Sequence, residues 1–238
     1  MKKIITFLII VLILVATGLY FYKNTDLIKR HNKFNKDTEM AYLSSELKNV
    51  DHSFNMLLLS NIVESYHTTS KYAVRKDYNF FKQVKNKQLF IMEYIINEDS
   101  IDNNEFVILG NDGSVITDVE PTDDTLTAYF PYKDFNKVYK AYFNESLKEK
   151  DKVKSNLDNK YDKSKDYVYY INKRLGTNGM QVSLDILNVE MLGSEYIAKI
   201  QLNYSETLVS SLGVSNDTAE LKYDKIDNHI VFKSFIVK

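Results

Sequence analysis

Apolar and polar positions follow three rhythms along this chain, and each predicts a different kind of element. Lys2 and Lys3 precede an uncharged run from Ile4 to Tyr22, 19 residues that would span about 28 Å as a helix, close to the ~30 Å hydrocarbon core of a bilayer. Tyr20, Phe21 and Tyr22 close the run like an interfacial aromatic belt, with Lys23 beyond. The run predicts a transmembrane signal anchor over 1–23. Ala16-Thr17-Gly18 leaves a competing reading open, a signal peptide cleaved near Gly18 with the rest secreted. Lys23, Lys29, Arg30, Lys33 and Lys36 compete with Lys2 and Lys3 in setting orientation. The short basic N-tail favours a cytoplasmic N-terminus and a C-terminal domain outside the cell membrane.

The second rhythm is helical. Met40, Leu43, Leu47, Val50, Phe54 and Leu57 recur at alternating spacings of three and four, with Asp37 or Thr38 placed to cap the start and His52-Ser53 to divide the helix. As a heptad seam this stripe would pair two copies of the chain, with Asn61 at the next core position setting the register. Leu58, Leu59, Ile62 and Val63 widen the face, which suits a helix packing on its own domain. Further helix is predicted over Lys76–Lys87, through Tyr78, Phe81 and Val84, continuing into Leu89–Ile96. Another starts near Asp134, with Phe135, Val138, Tyr139, Tyr142 and Leu147 on one face, and dissolves into the mixed-charge stretch Lys148–Asp166.

The third rhythm has period two. Phe106–Leu109 and Ser114–Thr117 flank Gly110-Asn111-Asp112-Gly113, a hairpin signal, and Thr125–Phe130 adds a strand. Tyr167–Leu175 and Met180–Leu192 are predicted as strands joined through Gly176-Thr177-Asn178-Gly179. Tyr196, Ala198, Ile200, Leu202 and Tyr204 alternate with polar residues. Ala219, Leu221 and Tyr223, an Asp227-Asn228 turn, and Ile230, Phe232 and Ile236 complete an antiparallel meander with one wet face. The predicted class is α+β: an N-terminal transmembrane helix, a juxtamembrane helical segment over 24–66, and an extracytoplasmic domain over 67–238. In that domain a C-terminal antiparallel sheet packs on helices, as in the cystatin/NTF2-like class.

Composition narrows what this architecture does. Of 238 residues, 31 are Lys or Arg and 32 Asp or Glu, so no net field draws the chain to nucleic acid. The absence of Cys excludes disulfides, thiolate metal sites and a cysteine nucleophile. Abundant Lys, Asn, Ile and Tyr with two Pro and no Trp fit an AT-rich bacterial genome.

Neither Gly-x-Ser-x-Gly nor His-Glu-x-x-His occurs. His31, His52, His67 and His229 lack ligand spacing and read as surface residues. Glu98, Asp99, Asp102, Glu105, Asp112, Asp118, Glu120, Asp123 and Asp124 form an acidic segment without the Asp-x-Asp-x-Asp-Gly order of a calcium loop, so it reads as solvated loops. Tyr129, Phe130 and Tyr132, and Tyr167, Tyr169 and Tyr170, are aromatic enough to stack on sugars or partners, but they fit strand core better. No residue is put forward as catalytic, cofactor-binding or metal-binding.

One span, a juxtamembrane helix and an α+β domain ending in a meander resemble in layout the VirB8-type subunits of bacterial secretion machines, whose outer domain is NTF2-like. The resemblance is one of layout, carries no motif and transfers no residues. The sequence therefore predicts a non-enzymatic, membrane-anchored module for interaction or assembly in a bacterial envelope. Its partners would be the lipid bilayer through Ile4–Tyr22, an envelope protein, and a second copy through the Met40–Leu57 stripe. A ligand-binding or sensing domain using a concave sheet face is the alternative. A cell-wall hydrolase is the third reading.

Overall fold

The computed structural model describes residues 11–20, 34–98, 107–109, 115–116, 126–148, 167–172, 180–213 and 216–238. Six α-helices lie among them: α1 over 11–20, α2 Lys36–Asn49, α3 Asp51–Thr69, α4 Val84–Glu98, α5 Tyr132–Phe143 and α6 Glu206–Leu212. The strands are β1 Val107–Leu109, β2 Val115–Ile116, β3 Leu126–Pro131, β4 Tyr167–Asn172, β5 Val182–Leu192, β6 Glu195–Tyr204, β7 Asp217–Ile226 and β8 His229–Val237. They form two four-stranded antiparallel sheets, ordered β2-β1-β3-β4 and β5-β6-β7-β8. The fold is α+β.

No helix among the described residues is long and apolar enough to cross a membrane. Among the described residues, the N-terminal run contributes helix over 11–20. The absence of a spanning helix among the described residues contradicts the transmembrane signal anchor expected over 1–23 and the single-pass membrane localisation built on it.

The helical stripe is real, but it faces inward. Leu43, Leu47, Val50, Phe54 and Leu57 are buried in the chain's own core, Met40 packs on its margin, and Asn61 is buried beside them. The seam expected to pair two copies is thus occupied by the chain's own side chains, because the apolar arc is too wide for a coiled-coil stripe. Val50 interrupts the helix and leaves α2 and α3 as separate segments. The cap of α2 is Asn35, whose side chain accepts from the Thr38 amide at 3.0 Å. Before α4, only a 3-10 turn over Phe80–Lys82 forms, capped by Asn79. The helix expected from Lys76 therefore starts at Val84.

Phe54 is the hub of this core. Its ring lies 4.9–5.9 Å from those of Phe81, Phe90, Phe232 and Phe235, mostly edge to face, the geometry that aligns ring edges with π faces. Residues from α3, the 3-10 turn, α4 and β8 thereby share one interior, and α5 joins it through Phe143. Across α3 and α4, His52 Nε2 meets Glu93 Oε2 at 3.1 Å and Lys85 pairs with Glu64 at 2.8 Å.

The β5–β8 meander forms as the alternation predicts, except that a bulge in β8 after Phe232 changes its phase and sets Phe235 and Val237, not Ile236, opposite Leu221 and Ala219. Tight turns at Gly193 and at Asp227-Asn228 carry the positive φ angles that such two-residue hairpins demand. Strand β4 behaves differently from the expectation that joined it to β5: it pairs with β3, from Leu126↔Asn172 to Pro131↔Tyr167. Periodicity identifies a strand but carries no information about its partner. The hairpin expected around Gly110–Gly113 appears as β1 against β2. Its turn, the Gly176–Gly179 connection, the stretch 149–166 and the acidic residues from Asp99 to Asp124 lie outside the described residues.

Candidate functional site

At the β7–β8 turn, two periodicities converge. Glu39 and Tyr42 stand three apart on α2 and share a helix face, while Tyr223 and Lys225 stand two apart on β7 and share a strand face. Tyr196 on β6 is the direct cross-strand neighbour of Tyr223, and their rings stack at 5.2 Å and 16°. Phe34 adds a ring 6.2 Å from Tyr196.

Charge is built into this aromatic setting. Glu39 is 6% exposed, accepts the Tyr223 hydroxyl hydrogen at 2.8 Å through Oε1, and pairs with the Lys225 ammonium through Oε2. The Lys225 Nζ lies 3.9 Å from the centroid of Tyr42 and 5.2 Å from that of Tyr196, both inside the ~6 Å reach of a cation–π contact. Tyr42 donates its hydroxyl hydrogen to the Asn228 carbonyl at 2.7 Å, pinning α2 to the turn. Burial, with the Glu46 and Glu39 charges adding to it, pushes the Tyr42 hydroxyl up to about 12. Burial and the bond to Glu39 raise Tyr223 further still.

Beside this network opens a hollow of about 460 Å³ lined by Tyr196, Lys225, Asp227 and Asn228. Asp227 and Asn228 hold φ of 49° and 61°, so the turn presents them in one fixed backbone shape. The walls therefore combine an aromatic ring, an ammonium, a carboxylate and an amide. Such a set orients a small polar group by hydrogen bonds and covers its apolar side with a ring.

A second polar network lies near the far end of β6. Asp217, 8% exposed, accepts from the Tyr204 hydroxyl at 3.0 Å and pairs with Lys76 at 2.7 Å, fastening the segment after α3 to β7.

The three described histidines do not converge. His52 pairs with Glu93, His67 lies beside Tyr66, His229 opens β8, and His31 is outside the described residues. Among the described residues, no group of three His, Asp or Glu is placed to hold a metal ion. The Phe54 cluster packs on the sheet at β8, through Phe232 and Phe235.

Sequence reasoning passed over Glu39, Tyr42, Tyr196, Lys225 and Asp227 as site residues. One signal was visible: Lys225 continues the inward series Ala219, Leu221, Tyr223, where an apolar residue is expected. Its partner on α2 could not be named from the sequence. No protein-family model, no curated protein and no solved structure matches this chain.

Proposed function

We propose that the chain is a non-enzymatic binding module, and that the hollow at the β7–β8 turn receives a small polar ligand or a partner's side chain. The observation that carries this reading is the convergence of Tyr196, Lys225, Asp227 and Asn228 on one opening, above a buried support of Glu39, Tyr42 and Tyr223. Side chains held by a second layer of bonds keep their positions when a ligand arrives, which lowers the entropy cost of binding. A helix-backed antiparallel meander is also what an NTF2-like or cystatin-like assignment of the fold requires, and such an assignment is compatible with a binding role.

The test is a titration of the full chain, labelled for nuclear magnetic resonance, with a panel of monosaccharides, amino acids, simple amines and simple carboxylates. Perturbations clustering at Tyr196, Lys225, Asp227 and Asn228 are expected for at least one class. A panel that leaves all four signals in place would overturn the reading.

A further inference from the structure

We infer that the exposed side of α5 is a docking surface for an acidic, extended segment of a partner polypeptide, which lies along Lys133, Lys137 and Lys140 with Lys148 on its flank. This surface is separate from the hollow at the β7–β8 turn and does not depend on it. Three observations carry the inference.

First, the row is uniform in charge. At 3.6 residues per turn, Lys133, Lys137 and Lys140 fall within about 60° of arc on α5, while Phe135, Tyr139 and Phe143 turn away into the core. All three lysines are exposed, and none forms an ion pair with a described residue. Asp134, the one acid of this helix, stands outside that arc. Like charges three and four residues apart on a helix repel, so the row becomes favourable only when a counter-charge lies on it.

Second, the chain adds a fourth cation and withdraws a nearby acid. After the left-handed Asn144 it folds back beside α5: the Asn136 side chain accepts from the Leu147 amide at 2.8 Å, and the Tyr132 hydroxyl donates to the Leu147 carbonyl at 2.7 Å. That return holds Lys148, exposed and likewise unpaired among the described residues, on the flank of the row. Glu145 on the same return is taken by Lys87 of α4, whose ammonium also sits 5.2 Å from the centroid of Phe143. Elsewhere lysines meet carboxylates, as Lys76 does Asp217 and Lys233 does Asp224. Here four are left facing outward.

Third, the chemistry of the face selects among polyanions. The helix rise sets successive lysines of the row about 6 and 4.5 Å apart along its axis. Alternate side chains of an extended peptide repeat at about 6.6 Å, and the flexible lysine stem takes up the difference. A single nucleic-acid strand needs ring faces for its bases, but Tyr139 is 2% exposed and Tyr142 is stacked on Phe232. A lipid surface needs apolar side chains to insert, and the apolar residue exposed beside the row is only Ala141.

The experiment titrates the full chain, labelled for nuclear magnetic resonance, with four probes. They are a capped peptide of alternating glutamate and serine, its glutamine–serine counterpart, oligothymidylate, and phosphatidylglycerol vesicles. The glutamate peptide is expected to move the Lys133, Lys137, Lys140 and Lys148 signals, and its binding to weaken about ten-fold or more when salt rises from about 0.05 to 0.5 M. The glutamine peptide is expected to leave them in place. Lys133→Gln with Lys137→Gln is expected to weaken the glutamate peptide about ten-fold without lowering the thermal midpoint, since it relieves repulsion within the helix. Lys48→Gln with Lys199→Gln removes the same charge from α2 and β6 and is expected to change nothing. Oligothymidylate or vesicles binding at these lysines as tightly as the glutamate peptide would overturn the inference. So would unchanged binding by the Lys133 and Lys137 double variant, or silence from all four probes. None of these outcomes bears on the hollow.

Discussion

The hydroxyl of Tyr223 donates to the Oε1 of Glu39 across 2.8 Å, joining a residue of β7 to one 184 positions earlier on α2. Both are buried, and the carboxylate also carries the Lys225 ion pair. Replacing Tyr223 by Phe keeps the ring stacked on Tyr196 and removes only the donor. Hydrogen bonds to charged groups contribute about 1.5–3 kcal/mol, so Tyr223→Phe is expected to lower unfolding free energy by about 2 kcal/mol in urea titrations. A loss below about 0.5 kcal/mol would show that the carboxylate does not depend on this donor.

Alkaline pH is expected to weaken the fold through its tyrosines. Tyr42 is raised to about 12, and Tyr204 and Tyr223 are raised further, in each case chiefly by burial. Below the ordinary tyrosine range of about 10, folded and unfolded chains bind these protons equally. Above it the unfolded chain releases them first, so stability is lost as pH rises from about 10 through the folded values. Urea midpoints measured from pH 8 to 12 should fall across the upper part of that range, and Tyr42→Phe should soften the fall. A flat profile for the parent protein contradicts the assignment.

The aromatic core predicts a steep cost at its hub. Phe54→Ala removes a ring that is 0% exposed and touches four other phenylalanines. The expected loss is about 3–5 kcal/mol, since surrounding rings close such a cavity only in part. Met at this position should recover most of it. Chemical denaturation of the two variants side by side checks the order.

The β7–β8 turn makes a backbone prediction independent of any contact. Asn228 holds φ of 61°, where a β-branched residue is strained by about 1–2 kcal/mol and glycine is not. Asn228→Val should destabilise by that amount and Asn228→Gly by little or nothing. Thermal unfolding of both variants separates the two cases.

The meander was legible because β6 and β7 bury one face more than the other, so Ala198, Ile200 and Leu202 alternate with more exposed neighbours as a half-wet sheet requires. The core stripe from Leu43 to Leu57 was legible as a helix but not as to what it faced, since a coiled-coil seam and a packing face share their spacing. Pairing between distant strands was not legible: β4 joins β3 across a long separation, and nothing in Tyr167–Asn172 marks that choice. The short helix Glu206–Leu212 also escaped, although Ser205 caps it by accepting from the Leu208 amide. Of the candidate site, only the turn Asp227-Asn228 could be read directly. The rest depends on α2 lying across β7, a tertiary fact to which Lys225 gives half a clue.

The bond from Tyr42 to the Asn228 carbonyl spans 186 positions. During synthesis, Glu39 and Tyr42 leave the ribosome long before any of their β7–β8 partners have been made. Until then the first helices carry an apolar face and a carboxylate with nothing to receive them, a liability that grows with the time spent waiting. Closure of the hollow is therefore among the last events of folding, and a chain stalled before residue 225 displays a sticky, incompletely folded surface to the cell's quality control.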